Sequence, residues 1–155
     1  WKHRRQRQMC IRDRNETAPE IAKQAGPAWA AFIHGSGTGG TIEGVRRFVM
    51  AERLPVEVHM VVPAEEKHGI QGIGDGKDFL ADPEKMDGQI IISTQDAIDR
   101  AKSFAKNTGI LVGISAGANI LASERWVQKN DPLGIVITML CDRGERYMSI
   151  FQERS

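Results

Sequence analysis

The spacing of apolar positions changes several times along the chain, and each change marks an element. From Ala28 to His34 the chain is almost continuously apolar and ends in glycines, the pattern of a strand buried on both faces. Ile42, Val45, Phe48 and Val49 then recur at helical spacing up to Pro55, which predicts strand, glycine turn, helix. Val56 to Val62 predicts a second strand, ended by Pro63, and Ile90 to Ser93 a third. Between these two lies a loop, His68 to Gly76, too rich in glycine for a strand and too long for a tight turn. Thr94 is placed to cap a helix whose apolar face is Ala97, Ile98, Ala101, Phe104 and Ala105, closed by Asn107 to Gly109. Ile110 to Val112 reads as a short strand, Ser115 to Lys129 as a helix, and Gly134 to Leu140 as a final strand of mostly branched apolar residues. Ahead of the first strand, Thr17 and Glu20 have capping-box spacing for a helix to Gln24, which Gly26-Pro27 would stop. Strands alternate with helices throughout. The fold class is therefore α/β: a parallel, twisted sheet with crossover helices on both faces, which binds ligands at the carboxyl ends of its strands.

Composition narrows the class. A chain of 155 residues, 41% hydrophobic and 26% charged, is one ordinary soluble domain and excludes disorder. Its longest apolar runs, Ala28 to Ile33 and Ile135 to Cys141, fall far below the roughly 18 to 20 residues of a spanning helix, so no membrane partner is expected. Two distant thiols, Cys10 and Cys141, and no secretory apolar segment suggest a reducing cytoplasm. The net charge of +1 hides an asymmetry. Residues 1–14 carry six bases against Asp13 alone, while the remaining 141 residues carry 15 bases and 19 acids. The basic stretch has no amphipathic repeat and no aromatic platform, so nucleic-acid binding is not expected. Its segment Gln8-Met-Cys-Ile-Arg-Asp-Arg14 resembles a translated sequencing adapter. Residues 1–14 are therefore set aside as a non-native scar, and 15–155 are read as the folded protein. No metal site is expected.

Three glycine-rich turns can carry chemistry. Gly35-Ser-Gly-Thr-Gly-Gly-Thr41 stands where a buried strand ends and a helix begins. Glycines let backbone amides approach a ligand, the first helical N–H groups lack intrahelical partners, and the helix dipole is positive there, so a phosphate is doubly favoured. Thr38 and Thr41 can add hydroxyls. Gly35, Gly37 and Gly40 also satisfy the dinucleotide fingerprint, with Glu65 near the acid's place after the next strand, so an NAD(P)-binding Rossmann domain stays open. A triphosphate P-loop does not, because Thr41 and Ile42 stand where it requires Lys and Ser or Thr. The second turn, Gly113-Ile-Ser-Ala-Gly117, has the form of a nucleophile elbow. All four histidines precede Ser115, against the order of that hydrolase fold. Ser115 then reads as a plain N-cap or as a neutral donor in the same cleft. The His68–Gly76 loop reads as a mobile wall of that cleft.

Taken in order, GSGTGGTIEGVRRF, HGIQGIGDG, GILVGISAGANILA and LCDRGERYMS resemble the second half of cysteine synthases, pyridoxal-phosphate enzymes of fold type II. The resemblance spans Glu16 to Phe151. It implies that Gly37, Thr38, Gly39, Gly40 and Thr41 hold the cofactor phosphate and that Ser115 hydrogen-bonds the pyridine nitrogen. Cys141, near the ring edge, is read as a packing thiol, and Asp142, Arg143, Glu145, Arg146 and Tyr147 as a turn closing the site with ion pairs. It implies cysteine synthesis from O-acetylserine and sulfide by β-elimination and β-replacement, a homodimer, and a serine acetyltransferase partner. Cystathionine β-synthase and serine or threonine dehydratase share the fold and remain alternatives. The Schiff-base lysine of the family lies in the half with no counterpart here, and none of the eight lysines occupies its motif. Lys67 and Lys77 read as solvated surface residues. The chain is thus expected to be an inactive fragment with no catalytic residue of its own.

Overall fold

The computed structural model describes residues 2–74 and 80–151. Helix α1, Lys2–Arg12, runs through a π-helical stretch, Asp13–Thr17, into α2, Ala18–Ala25. The Thr17 hydroxyl donates to Asp13 Oδ1 at 2.9 Å within this stretch and caps nothing. The expected helix start at Thr17 is thus corrected, because the preceding residues are already helical. Gly26 does stop α2, with a φ of 59°.

Strand β1, Trp29–Gly35, feeds α3, Gly40–Ala51, which returns to β2, Glu57–Pro63. β3, Gly88–Ile92, leads into α4, Thr94–Thr108, then α5, Ile114–Asn130, and the short β4, Ile135–Ile137. The sheet is parallel throughout, in the order β3-β2-β1-β4. β1 therefore has its successor on one side and the last strand on the other, which is where such sheets open a crevice at their carboxyl edge.

The alternation of β1 sends residues to opposite cores. Ala31 and Ile33 pack with Ile92, Ala97, Ile114 and Ala118 under α4 and α5. Phe32 packs with Ile42, Val45 and Val58 under α3. Each of the isoleucine, valine and phenylalanine side chains among them, removed fully from water, contributes about 1.5–3 kcal/mol. α5 crosses its face obliquely: Asn119 meets the end of β1, the Trp126 ring meets His59 of β2, and Arg125 meets the Ile91 carbonyl of β3.

Four expectations are adjusted. Ser93, not Thr94, caps α4: its backbone is extended and its Oγ accepts from the Asp96 amide at 3.1 Å. Ile110–Val112 forms no strand, only a single antiparallel bridge from Val112 to Arg143. β4 is confined to Ile135–Ile137 within the expected span of Gly134 to Leu140. The basic stretch, set outside the fold in the sequence reading, forms α1 and packs on α3, with Cys10 buried. A Cβ at Gly44 would lie 2.8 Å from the Cys10 carbonyl oxygen and 2.9 Å from the Asp13 Cβ, so the two helices meet backbone to backbone there. Among the described residues no helix is long and apolar enough to cross a membrane, and no group of three His, Cys, Asp or Glu could hold a metal.

Candidate functional site

The turn after β1 is held open by close packing. A Cβ at Gly37 would collide with the Gly72 carbonyl, and one at Gly39 would lie 2.5 Å from the Ala81 amide nitrogen. Gly39 is also left-handed, with φ at 82°, and starts α3. These glycines are therefore demanded by neighbouring backbone as well as by conformation. Among the described residues, no backbone hydrogen bond uses the amides of Gly37, Thr38, Gly39, Gly40 or Thr41. Thr38 is exposed and Thr41 half-buried beside them. Ser36, 4% exposed, has a hydroxyl with no partner among the described residues. A set of unengaged donors at a helix start, next to an orphaned buried hydroxyl, suits an anion.

The second turn reaches the same edge through a residue that sequence reasoning missed. Asn119 is fully buried on α5. Its Oδ1 accepts from the Gly35 amide at 2.8 Å, and its Nδ2 donates to the Met139 carbonyl at 3.0 Å and to His34 Nδ1 at 3.1 Å. One amide thus joins the first residue of the glycine turn, the segment after β4 and α5. Ser115 lies one turn earlier on α5, about 6 Å along the helix axis. This network assigns the neutral tautomer of His34 with its proton on Nε2, facing Cys141 Sγ at 3.8 Å. Burial drives the His34 pKa from 6.5 down to about 4, against a smaller opposing effect of Asp13.

Ser115 is buried and donates to Asp142 Oδ1 at 3.3 Å. Gly113 is the N-cap of α5, so Ser115 is not the plain cap considered above. A Cβ at Gly113 would collide with the Asp142 carboxylate, which is why glycine stands there. The other carboxylate oxygen accepts from the Tyr147 hydroxyl at 2.7 Å, and burial followed by this bond pushes the Tyr147 pKa up to about 12. Among the described residues no ion pair involves Asp142, Arg143, Glu145 or Arg146, which corrects the expected ion-paired closure. Cys141 is exposed rather than packed. Enough protein surrounds its sulfur that burial, and then the Asp142 carboxylate, raise its pKa, so the thiol stays protonated at neutral pH.

The third glycine segment lines the first. Gly74 donates its amide to the Ser36 carbonyl at 2.8 Å, and Ile73 fills the space a Gly35 side chain would need. Gly76 and Lys77 lie outside the described residues. Glu65, the acid a dinucleotide site would require, accepts instead from the Thr94 amide at 3.1 Å and from the Thr94 hydroxyl at 3.2 Å.

Residues 8–142 match the family model of pyridoxal-phosphate dependent enzymes. The chain belongs to that family. It is 37% identical over 146 residues to cysteine synthase B of Campylobacter jejuni, covering 88% of this chain and 48% of that one. The crystal structure of O-acetylserine sulfhydrylase isoform 3 from Entamoeba histolytica superposes with a TM-score of 0.80 at 32% identity, over 91% of this chain and 45% of that one. An O-acetylserine dependent cystathionine β-synthase from Helicobacter pylori gives 0.78 at 28% identity, over 91% and 49%. The chain therefore spans about half the length of the relatives it matches. The α/β fold with a parallel sheet is that of the family, and the dinucleotide alternative is set aside.

The residues present fit the family's cofactor. The α3 start offers unengaged amides and two threonine hydroxyls for a phosphate, and Asn119 ties that turn to the helix that carries a buried serine hydroxyl.

Proposed function

We propose that this chain is the phosphate- and ring-holding part of a cysteine synthase, which makes L-cysteine from O-acetylserine and sulfide. The observation that carries the reading is the row of amides from Gly37 to Thr41 at the start of α3, unengaged among the described residues, in a chain of this family. Gly37, Thr38, Gly39, Gly40 and Thr41 hold the phosphate, through backbone N–H groups and the two hydroxyls. Pyridoxal phosphate, when bound, supplies the electron-withdrawing ring that lets a β-substituted amino acid lose its leaving group. Ser115 gives its one hydroxyl proton to Asp142 Oδ1 here and would have to release that bond to donate to the ring nitrogen, which a neutral hydroxyl leaves unprotonated, a weaker electron sink than an aspartate would create. That choice favours loss of a β-substituent over transamination. Asp142 keeps the Ser115 side chain in place, and Tyr147 braces Asp142.

None of the eight lysines stands in a motif of the family, so the chain by itself lacks the residue the family's chemistry needs and does not turn over substrate. The same reading carries a cytoplasmic location, a homodimer and a serine acetyltransferase partner for the whole protein. Cystathionine β-synthase activity is the second reading, favoured by the Helicobacter pylori structure.

Titration of the chain with pyridoxal 5′-phosphate and with NAD, followed by the fluorescence of buried Trp29 and Trp126, tests the assignment. Thr38 is exposed, so Thr38→Asp adds a carboxylate beside the amides without filling a packed position. We expect it to weaken pyridoxal phosphate binding at least tenfold, about 1.4 kcal/mol. Gly39→Asp should abolish binding as well, although it also strikes Ala81. Tighter binding of NAD, or equal affinity in Thr38→Asp, overturns the reading.

A further inference from the structure

The loop from His68 to Gly74 forms one wall of the site, and its conformation needs an external hold. Gly72 and Gly74 adopt left-handed backbone, with φ of 84° and 76°. Ordering glycines costs more chain entropy than ordering any other residue. The middle of the loop is anchored by Ile70 and Ile73, both buried in the core under α4 and α5, and its far end by the Gly74 amide on the Ser36 carbonyl. Its near end is tied to the Thr94 side chain. The Gly69 amide donates to Thr94 Oγ1 at 2.9 Å, and a Cβ at Gly69 would lie 2.9 Å from the Thr94 methyl.

Thr94 is free to do this because Ser93 performs the capping of α4. Its hydroxyl is also oriented. Its single proton goes to Glu65 Oε2 at 3.2 Å, which leaves a lone pair aimed at Gly69. Glu65 holds the Thr94 backbone amide as well, at 3.1 and 3.2 Å. The chain is thus continuous: Glu65 sets Thr94, Thr94 sets Gly69, and the loop sets Gly72 against Gly37.

We infer that Thr94 is a positioning residue, a latch that fixes the His68–Gly74 wall against the glycine turn, with Glu65 as its setting. The consequence for ligand binding rests on the cofactor reading above, but the latch itself does not. Three variants of the full chain separate its parts. Thr94→Val keeps the shape and removes the hydroxyl. Thr94→Ser keeps the hydroxyl, and Ser93→Ala removes the α4 cap while leaving the latch.

Hydrogen exchange of the Gly69 to Gly74 amides is the deciding measurement. Loss of one solvent-accessible neutral hydrogen bond should accelerate it about fivefold in Thr94→Val. Thr94→Ser should remain within about twofold of the parent by the same argument, and Ser93→Ala should loosen the first turn of α4 but not the loop. Glu65→Gln should give an intermediate acceleration and serves where Thr94→Val folds poorly. Unchanged loop exchange in Thr94→Val, failure of Thr94→Ser to restore it, or equal loosening by Ser93→Ala overturns the latch. Titrating the same proteins with pyridoxal 5′-phosphate reads the site separately. A parent chain that does not bind it overturns the cofactor reading and leaves the exchange result to decide the latch.

Discussion

Asn119 concentrates three structural ties in one buried amide, and its removal would strand the Gly35 amide, the Met139 carbonyl and His34 Nδ1 together. Each stranded buried group costs about 1–3 kcal/mol, so Asn119→Ala should destabilise the chain by roughly 3 kcal/mol or more in urea unfolding. Nothing in the sequence singled it out, because an asparagine in a helix is unremarkable until its partners, 84 and 20 residues away, are known. His34 was equally hidden inside an apolar run. Its pKa is 6.5 in the unfolded chain and about 4 in the folded one. Between these values the unfolded state binds more protons, so stability is fully present above pH 6.5 and is lost as pH falls toward 4. The loss is on the order of 3 kcal/mol for so buried a group. His34→Gln should flatten the dependence of the urea midpoint on pH across this window, and an unchanged slope would remove His34 as its source. The glycines and threonines of the first turn were legible, by contrast, because local sequence alone sets a strand end and a helix start.

Helix α1 packs on α3 although the sequence pattern places residues 1–14 outside the fold. The likeness of Gln8–Arg14 to a translated sequencing adapter is what sets the stretch outside the fold in the sequence. What makes it an element is the flat site at Gly44, where α3 presents no side chain and the end of α1 lies against it. The family match itself starts at residue 8, within α1. Gly44→Ala discriminates the two pictures. Helix propensity alone would stabilise by about 1 kcal/mol. Collision with the Cys10 carbonyl and Asp13 should cost about 1–3 kcal/mol. We expect net destabilisation in thermal unfolding; a gain near the propensity value would mean that α1 does not sit on α3. The α4 cap fell to the residue next to the expected one for a related reason. Ser93 and Thr94 are both capable, and the choice depends on which of them the preceding strand leaves in extended backbone, at φ −76° and ψ 155°.

Both edges of the sheet carry exposed apolar side chains. Leu133 is wholly exposed, and Ile135 and Leu140, around the short β4, are nearly half exposed, as is most of Ile91 on β3. Parallel edges with apolar flanks pair readily with further chains. Sedimentation of the purified chain should therefore show association that grows with concentration, and Leu133→Lys with Ile135→Lys should reduce it. The strand order, the faces and the alternation were legible because a buried parallel sheet writes continuous apolar runs. The edges were not, since exposure depends on what lies beside a strand. A different economy governs the carboxyl side of this sheet. Three helices begin near it, and each beginning attracts negative charge. Glu65 already serves α4, and Asp142 lies against the first residues of α5. Glu43, within the first turn of α3, turns its carboxylate to Arg46 and Arg47 instead. Two of the three electropositive ends are thus internally neutralised, and calorimetric titration with inorganic phosphate should return a stoichiometry of one per chain.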